Sequence, residues 1–378
     1  MAHIEIDLGT RRYPILVLTK DRGKLKKLVK KYQGERIFVI TDGQVWALHS
    51  RFLTFALLTN KHARNLFSLQ ISEQIKNSRT VDEIHDYLLA NKINRHDLIV
   101  ACGGGVTSDL VGYAASTVLR GVRWGVISTS LMGMVDAAIG GKTGVNHRFG
   151  KNLIGSIWQP DFVYANAEML QTLPAREIIC GFGEILKYAG LVGEPFLSEA
   201  EEYLQRGNLY DADSLYRMVS ISAALKAQIV QMDEREAGVR TFLNLGHTFG
   251  HAVETATKYK RLLHGEAVIV GLLGALSLSQ RLRPRSRTSL LRYRALLERG
   301  VKFVPRVELN ADSVYRGMAL DKKRSQGGLR FVLLERPGRP VLCEKISIRH
   351  IRAAINDMLN LYREFGGTDA SHTRRQRS

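Results

Sequence analysis

Residues 98–119 read LIVACGGGVTSDLVGYAASTVL. The apolar run Leu98 to Ala101 is a strand signal, the glycines Gly103, Gly104 and Gly105 end it, and Val106-Thr107-Ser108-Asp109-Leu110 opens a helix expected to reach about Leu119. A strand that passes through glycines into a helix N-terminus offers free backbone N–H groups to an anion, the geometry that holds a dinucleotide's diphosphate. The fingerprint is incomplete, because Ser108 stands where GxGxxG asks for its last glycine. On these residues alone, a nucleotide cradle and a tight structural turn stand level.

Upstream, the strand-like runs Ile4 to Leu8 and Ile37 to Ile40 and the helical stretch Val81 to Asn91 alternate as in a parallel α/β sheet. Asp42 follows the strand Ile37 to Thr41, where a carboxylate can take a ribose hydroxyl. Glu73 and Lys76, close together in SLQISEQIKN, read by themselves as a surface ion pair. Downstream, Ser128 to Pro160 reads STSLMGMVDAAIGGKTGVNHRFGKNLIGSIWQP, the densest run of Gly, Lys, Asn and Asp. Its GKT at Gly141 to Thr143 resembles the end of a Walker loop, but Asp136 occupies the place of that loop's first glycine. Lys142, Asn146, Lys151 and Asn152 are therefore expected in glycine-permitted loops, either reaching phosphates and hydroxyls of a ligand or simply solvated.

After Pro160 the periodicity is helical, over Pro174 to Leu191, Ala212 to Glu234, Arg240 to Thr257, Gly265 to Arg281 and Ile348 to Phe365. A domain boundary is expected near residue 165, giving domains 1–165 and 166–365 and a disordered basic tail, 366–378. In RTFLNLGHTFGHAVETATKYKRLLHGE, Arg240 to Glu266, the polar residues Arg240, Asn244, His247, His251 and Glu254 recur at helical spacing among Phe242, Leu243, Leu245, Phe249 and Val253. On one helix this makes a polar stripe facing the interior or a cleft. A lone buried histidine is ordinarily a satisfied core residue, and HxxxH without a HExxH glutamate is not a zinc-protease signature. His264 opens the next helix, however, so a helix-turn-helix can bring it to His247 as a second nitrogen donor. Glu184, in the apolar stretch IICGFGEILKYAGL with Gly181, Gly183 and Lys187, offers a third ligand through oxygen. Lys226 interrupts the apolar ISAALKAQIV, and a lysine buried there calls for an anion. Asp321-Lys322-Lys323 precedes Gly327-Gly328 and a strand, Leu329 to Leu334.

The chain has 378 residues, 45% hydrophobic and 24% charged, enough for two domains with cores of their own. Cys102, Cys180 and Cys343 have no CxxC spacing, which argues against a disulfide framework or a thiolate zinc site and fits a reducing cytoplasm. The N-terminus lacks a signal-peptide core, and no apolar run has the length of a membrane span. The formal charge of +19 is concentrated in Lys20 to Lys31, Arg281 to Arg287 and Arg374 to Arg377, without interleaved aromatics. That distribution reads as a solvated basic surface and not as a nucleic-acid site, and it would steer a small anionic substrate.

GGGVTSDLVGYAAST, VDAAIGGKTGVN, GKNLIGSIWQP, GFGEILKY, RTFLNLGHTFGHAVE, LHGEAV and DKK follow one another in this order. Through them nearly the full chain resembles 3-dehydroquinate synthase, within the sugar phosphate cyclases. The resemblance implies an N-terminal Rossmann-like NAD-binding domain, a mainly α-helical domain carrying one divalent metal, zinc or cobalt, and a homodimer. It implies conversion of 3-deoxy-D-arabino-heptulosonate 7-phosphate, an anionic sugar-acid phosphate, to 3-dehydroquinate and phosphate, by oxidation, phosphate elimination, reduction and aldol closure. This reaction belongs to the shikimate pathway of aromatic amino-acid biosynthesis.

The family's metal ligands fall on Glu184, His247 and His264. Its NAD contacts fall on Asp42, Ser72, Glu73, Lys76, Gly104, Gly105, Val106, Thr107, Ser108, Asp109, Thr129, Ser130, Lys142 and Lys151, and on Met169, Leu170, Gln171 and Thr172. Its substrate and catalytic positions fall on Asp136, Lys142, Asn152, Lys187, Lys226, Arg240, Asn244, His251 and Lys322, with Arg120 reaching in from the partner subunit. Three departures touch the NAD side: Ser128-Thr129-Ser130 for Pro-Thr-Thr, Ser108 for the glycine before Asp109, and Gln70-Ile71-Ser72 for Pro-Asp-Gly. A cyclase whose substrate lacks a carboxylate would not be expected to keep both Arg240 and Lys226. A metal-dependent NAD polyol dehydrogenase of similar architecture would release its reduced cofactor as product.

Overall fold

The computed structural model describes residues 1–21, 23–32, 36–57, 65–236, 238–324 and 329–367, with the backbone alone at 319–324. In chain order, the elements up to residue 166 are β1 (Ala2–Asp7), β2 (Arg12–Leu18), α1 (Lys24–Val29), β3 (Ile37–Asp42), α2 (Gly43–Leu57), β4 (Leu66–Leu69) and α3 (Ser78–Ala90). They continue with β5 (Leu98–Gly103), α4 (Gly105–Thr117), β6 (Arg123–Ser128), β7 (Lys142–His147), β8 (Gly150–Ile157) and β9 (Val163–Asn166). Then come α5 (Ala175–Val192), α6 (Phe196–Arg206), α7 (Ala212–Met232), α8 (His247–Ala256), α9 (His264–Leu282), α10 (Leu291–Val301) and α11 (Ala311–Arg324). The hairpin β10 (Phe331–Arg336) and β11 (Arg339–Cys343) and the helix α12 (Ile348–Phe365) close the described chain.

The chain forms two compact units, Met1–Leu173 with Leu215–Arg235, and Pro174–Ser214 with Glu236–Ser378. The boundary expected near 165 thus moves to Leu173, and most of α7 returns to the first unit, which a linear division into domains does not anticipate. Its Lys226 and Gln231 bond to Asp136 and Asp7 of the first unit, and along α7 Leu215, Met218, Val219, Ala223 and Val230 are fully buried.

The first unit holds a sheet in the order β1-β2-β9-β6-β5-β3-β4. Every neighbouring pair is parallel except the edge pair β1 and β2, so the expected parallel sheet carries one antiparallel edge strand. Leu98 to Cys102 are at most 1% exposed, because β5 is central and covered on both faces, which is why its sequence is a continuous apolar run without alternation. Strand order reverses at β5, with β3 on one side and β6 on the other, and the crevice beyond the carboxyl ends at such a point is where open α/β sheets bind ligands. Gly103, Gly104 and Gly105 lie at that carboxyl end.

The loops expected for Lys142, Asn146, Lys151 and Asn152 are instead a two-stranded antiparallel hairpin, β7 with β8. Glycine permits it by close approach: a Cβ on Gly155 would lie 2.1 Å from the Thr143 carbonyl oxygen. Glycine therefore serves contact between backbones here, and its frequency in the sequence is not a loop signal.

The second unit is helical around α9, whose residues Gly265 to Ser279 are all buried. The single helix expected over Arg240 to Thr257 is two pieces, a 3-10 turn Val239–Asn244 and then α8, separated by Leu245 and Gly246. Gly246 adopts φ +79°, and a Cβ there would lie 2.7 Å from the Leu272 side chain, so the chain turns where α8 meets α9. The stripe is therefore not one helix face, and only His247, His251 and Glu254 share α8. The helices α6, α10 and α11 were not anticipated, whereas α12 has the expected bounds. Among the described residues no helix is long and apolar enough to cross a membrane. The tail beyond residue 367 and Gly327-Gly328 lie outside the described residues, and so does the Lys322 side chain.

Candidate metal centre and glycine turn

Three helices bring three side chains that could hold a metal ion to one point in the second unit. Glu184 of α5, His247 at the start of α8 and His264 at the start of α9 present donor atoms that all lie within 4.8 Å of one another. Backbone contact makes this possible: a Cβ on Gly265 would sit 1.7 Å from the Cys180 carbonyl oxygen, and one on Gly183 would sit 2.3 Å from the Gly265 oxygen. With no side chains between them, α5 and α9 approach closely enough for Glu184 Oε1 to lie 3.6 Å from His264 Nε2. Likewise a Cβ on Gly271 would meet the Gly246 oxygen at 2.3 Å, which draws α8 onto α9 and sets His247 Nε2 3.5 Å from the same Oε1.

The far nitrogens of both rings are occupied. His247 Nδ1 lies 3.2 Å from the Leu245 carbonyl oxygen, which only accepts, so Nδ1 carries the proton and Nε2 keeps its lone pair toward Glu184. His264 Nδ1 lies 3.2 Å from Oε2 of Glu254, itself 2% exposed. A histidine whose second nitrogen is fixed by a carbonyl or carboxylate is the usual arrangement of metal-ligating imidazoles. One carboxylate oxygen and two imidazole nitrogens are the donor set of a borderline dication with coordination positions left open, so the residues fit zinc or cobalt.

Electrostatics sharpen the picture. Burial drives the His247 pKa down to about 3, leaving a neutral imidazole ready to ligate. For His264 burial works in the same direction, but the Glu184 and Glu254 carboxylates outweigh it and push the pKa up to about 10. The Lys187 ammonium is also drawn in, paired to Glu184 Oε2 at a position 1% exposed. Together these carboxylates favour the protonated form of His264.

Of the other second-unit positions, His251 faces the His247 and His264 rings with centroids 5.5 and 5.9 Å away. Arg240 is 2% exposed on the 3-10 turn, and Asn244 Nδ2 donates to Glu236 Oε1 at 3.1 Å. Glu254 is the residue that sequence reasoning placed on the stripe without giving it a role. Its signal was its position one helical turn beyond His251 on an apolar helix.

In the first unit a second cluster gathers beside the glycine turn. Lys76, 4% exposed, donates to Asp109 Oδ2 at 2.5 Å and to Asn152 Oδ1 at 2.6 Å. Asn146 joins the pieces: its N–H donates to the Lys76 carbonyl at 2.8 Å, its amide nitrogen to Glu73 Oε1 at 2.7 Å, and its Oδ1 accepts from the Asn152 N–H at 3.0 Å. Lys151 Nζ stands 4.0 Å from Glu73 Oε1. Glu73, Lys76, Asp109, Lys151 and Asn152, scattered in sequence, therefore share one place, and Asn146, expected in a loop as a ligand contact, is the residue that connects them. Burial raises the Asp109 pKa, against the lowering effect of the Lys76 charge.

Gly104 precedes the first turn of α4, and a Cβ there would lie 3.0 Å from Ser130 Oγ, so Ser130 and Thr129 border the turn. The Thr129 N–H donates to the Gly103 carbonyl at 3.0 Å. Val106, Thr107 and Ser108 form that first turn, where Ser108 Oγ donates back to the Gly105 carbonyl at 2.9 Å; the serine is accommodated by bonding to its own helix. Asp42 ends β3 and accepts from the Gln44 N–H at 2.8 Å, while burial raises its pKa. Ser72 is extended backbone just before Glu73. Met169, Leu170, Gln171 and Thr172 lie on the 3-10 turn Ala167–Thr172, where Thr172 Oγ1 is 2.9 Å from His49 Nε2.

Lys226 Nζ donates to the Asp136 carbonyl at 2.6 Å and pairs with Asp136 Oδ1 at 2.9 Å, which is the anion its apolar sequence context called for. Lys142 opens β7 and is exposed, and Arg120 is exposed in left-handed backbone, φ 63°.

Sequence models of 3-dehydroquinate synthase match the chain in two consecutive parts, the N-terminal one over residues 66–180 and the C-terminal one over residues 181–324. The 3-dehydroquinate synthase of Azotobacter vinelandii is 40% identical over 343 residues, covering 90% of this chain and 93% of that protein. That of Legionella pneumophila strain Corby is 37% identical over 338 residues, covering 89% and 91%. Among solved structures, 2-epi-5-epi-valiolone synthase from Streptomyces hygroscopicus subsp. jinggangensis 5008, with NAD+ and Zn2+ bound, is similar with a TM-score of 0.82 at 27% identity, covering 92% of this chain and 97% of that one. A 2-deoxy-scyllo-inosose synthase complexed with carbaglucose-6-phosphate, NAD+ and Co2+ shares the fold with a TM-score of 0.81 at 22% identity, covering 94% and 99%. Matched in both halves and along most of its length, the chain belongs to the 3-dehydroquinate synthase family.

Proposed function

We infer that the chain is a 3-dehydroquinate synthase that converts 3-deoxy-D-arabino-heptulosonate 7-phosphate to 3-dehydroquinate and phosphate. The observation that carries this beyond family membership is the convergence of Glu184, His247 and His264, with the second nitrogen of each imidazole already fixed. A structural relative holding NAD+ and Zn2+ supports the same pair of groups for this chain. When bound, NAD supplies a reversible hydride acceptor, and the metal, zinc or cobalt, supplies a Lewis acid for a substrate hydroxyl.

The residues divide the remaining work. Asp42, at the carboxyl end of β3, suits a ribose hydroxyl, and the first turn of α4 with Gly104 and Gly105 suits the diphosphate. Lys76 keeps Asp109 and Asn152 in place beside that turn, and the 3-10 turn Met169 to Thr172 completes the NAD contacts. Lys187 neutralises and orients the Glu184 carboxylate. Arg240 and Lys226 take the substrate carboxylate, Arg240 with the planar fork that matches it, and Lys226 pairs with Asp136. Lys142, Asn244, His251 and Lys322 take the phosphate. Arg120 is supplied to that phosphate by the partner subunit of a homodimer, and the cytoplasm is the compartment that fits a shikimate-pathway enzyme.

The test is phosphate release from 3-deoxy-D-arabino-heptulosonate 7-phosphate, with and without NAD and with and without a divalent metal. Release that needs both, without accumulation of reduced nicotinamide, supports a cyclase. Stoichiometric accumulation of reduced nicotinamide would instead make the protein a polyol dehydrogenase.

A further inference from the structure

The basic run Lys20 to Lys31, which the activity above leaves unused, ends at Tyr32. Tyr32 lines a cavity of about 480 Å³ together with Arg11, Arg12, Arg123, Trp158 and Gln159. Arg12 opens β2, Arg123 opens β6, and Asp161 comes shortly before β9, so the cavity lies at the amino ends of parallel strands. The glycine turn follows the carboxyl end of β5, at the opposite edge of the same sheet.

The lining is built from guanidinium groups on aromatic rings. The Arg11 guanidinium carbon lies 4.5 Å from the Trp158 ring centroid, and that of Arg123 lies 4.9 Å from the Tyr32 centroid. The Trp158 ring is fixed, with its Nε1 donating to the Val122 carbonyl at 3.0 Å and its far edge against Gly121, where a Cβ would lie 2.7 Å from it. Gln159, 5% exposed, forms a firm floor, accepting from the Tyr13 hydroxyl and donating to Glu234, each at 2.9 Å. Arg12 is paired to Asp7 at 2.8 Å and Arg123 to Asp161 at 2.7 Å. Arg11 lines the cavity, is exposed, and has no carboxylate of the described residues within ion-pairing distance.

We propose that this cavity binds a small planar anion, an aromatic ring carrying a carboxylate or phosphate, with its charge on Arg11 and Arg12 and its ring layered on the Arg11 guanidinium that Trp158 backs. The volume falls in the range of small-molecule sites, and a planar guanidinium both stacks on a ring and forks onto an oxyanion. The aromatic interleaving that a polyanion site needs is absent from the sequence but present in space, in a concave pocket and not along a track, which favours a small ligand over a nucleic acid.

The test titrates the full-length protein, loaded with NAD and metal, with phenyl phosphate, following tryptophan fluorescence and the heat of binding. Inorganic phosphate, phenol and a short single-stranded DNA serve as comparisons. Saturable binding of phenyl phosphate is expected, with phosphate and phenol each at least about tenfold weaker. Arg11→Ala, an exposed position whose loss leaves the fold and the turnover unchanged, should weaken it by about ten- to one-hundred-fold. Trp158→Phe should remove the fluorescence change while calorimetric binding persists, and Arg11→Lys should fall between wild type and Arg11→Ala. The proposal is overturned if Arg11→Ala binds as wild type does, if inorganic phosphate binds equally well, or if the DNA binds more tightly with a steep salt dependence. It is overturned equally if binding is lost in Lys142→Ala and kept in Arg11→Ala, which would place the probe at the substrate-phosphate group.

Discussion

Replacing Glu254 by Gln keeps the side-chain volume and removes one charge, at a position 2% exposed and 3.2 Å from His264 Nδ1. Two effects on metal affinity then oppose each other. Loss of the carboxylate makes the ligating Nε2 less basic and takes a negative charge from beside a dication, and outer-shell losses of this kind cost about 10- to 100-fold, or about 1.4 to 2.8 kcal/mol. Against this, Glu254 and Glu184 together overcome burial and hold a proton on His264, with its pKa pushed up to about 10, and the variant loosens that competitor. A dication gains about twice what a proton gains from the same neighbouring charge, so the loss wins. The relief acts only where His264 is protonated, so the deficit should be smaller at about pH 6 than near pH 10. His247, with its pKa driven down to about 3 by burial, is neutral throughout, so the wild type should release one proton per metal at about pH 6, from His264 alone.

Chelator competition gives the affinities, and calorimetry in two buffers of different ionisation enthalpy counts the protons. A deficit below about threefold at both pH values, or release of no proton or two, would refute the assignment of Glu254 as the group that orients His264. The same proton governs the metal-free fold. A histidine whose pKa rises from 6.5 to about 10 on folding contributes stability that is complete below about pH 6.5 and is lost as pH climbs through 10. The metal-free wild type should therefore lose melting temperature over that window more steeply than Glu254→Gln.

Gly265→Ala would set a Cβ 1.7 Å from the Cys180 carbonyl oxygen, so α5 and α9 must part; we expect destabilisation above about 3 kcal/mol and loss of metal, read by melting temperature and metal analysis. Arg240→Lys keeps the charge of a residue 2% exposed but loses the planar fork, so kcat/KM should fall about ten- to two-hundred-fold at unchanged metal content. A lowered melting temperature with unchanged substrate saturation would instead make Arg240 a structural residue. Mixing inactive Arg120→Ala subunits with inactive Lys142→Ala subunits should restore about one working site per mixed dimer, and no recovery in confirmed mixed dimers would remove Arg120 from the partner's site.

What was legible in the sequence is what local periodicity encodes. The strand-glycine-helix passage at Leu98 to Leu119 and the α5 face of Glu184 and Lys187 could be read directly, because each lies within one element. The meeting of His247 with His264 followed from a short connection between helices. The break at Leu245 and Gly246 was hidden because the spacing of Arg240, Asn244 and His247 satisfies a helix, while the packing of Gly246 against Leu272 decides the backbone. The hairpin that carries Asn146, and with it that residue's connecting role, was hidden for a related reason, since two strands in backbone contact at Gly144 and Gly155 look, residue by residue, like a glycine-rich loop. Glu254 was visible as a buried charge but not as a partner, because a hydrogen bond across two helices leaves no mark in either one's periodicity.

The return of α7 to the first unit bears on how the protein can be cut and how it is made. A chain ending at Leu173 lacks Leu215 to Arg235, and with it the bonds of Lys226 to Asp136 and of Gln231 to Asp7. During synthesis the first unit waits for residue 235 to leave the ribosome, by which time α5 and α6 of the second unit are already outside with their own partners unmade. The junction between the two family sequence models, at residues 180 and 181, falls inside α5, between Cys180 and Glu184 on the same helix. The two halves that sequence comparison separates are thus poor candidates for separate expression.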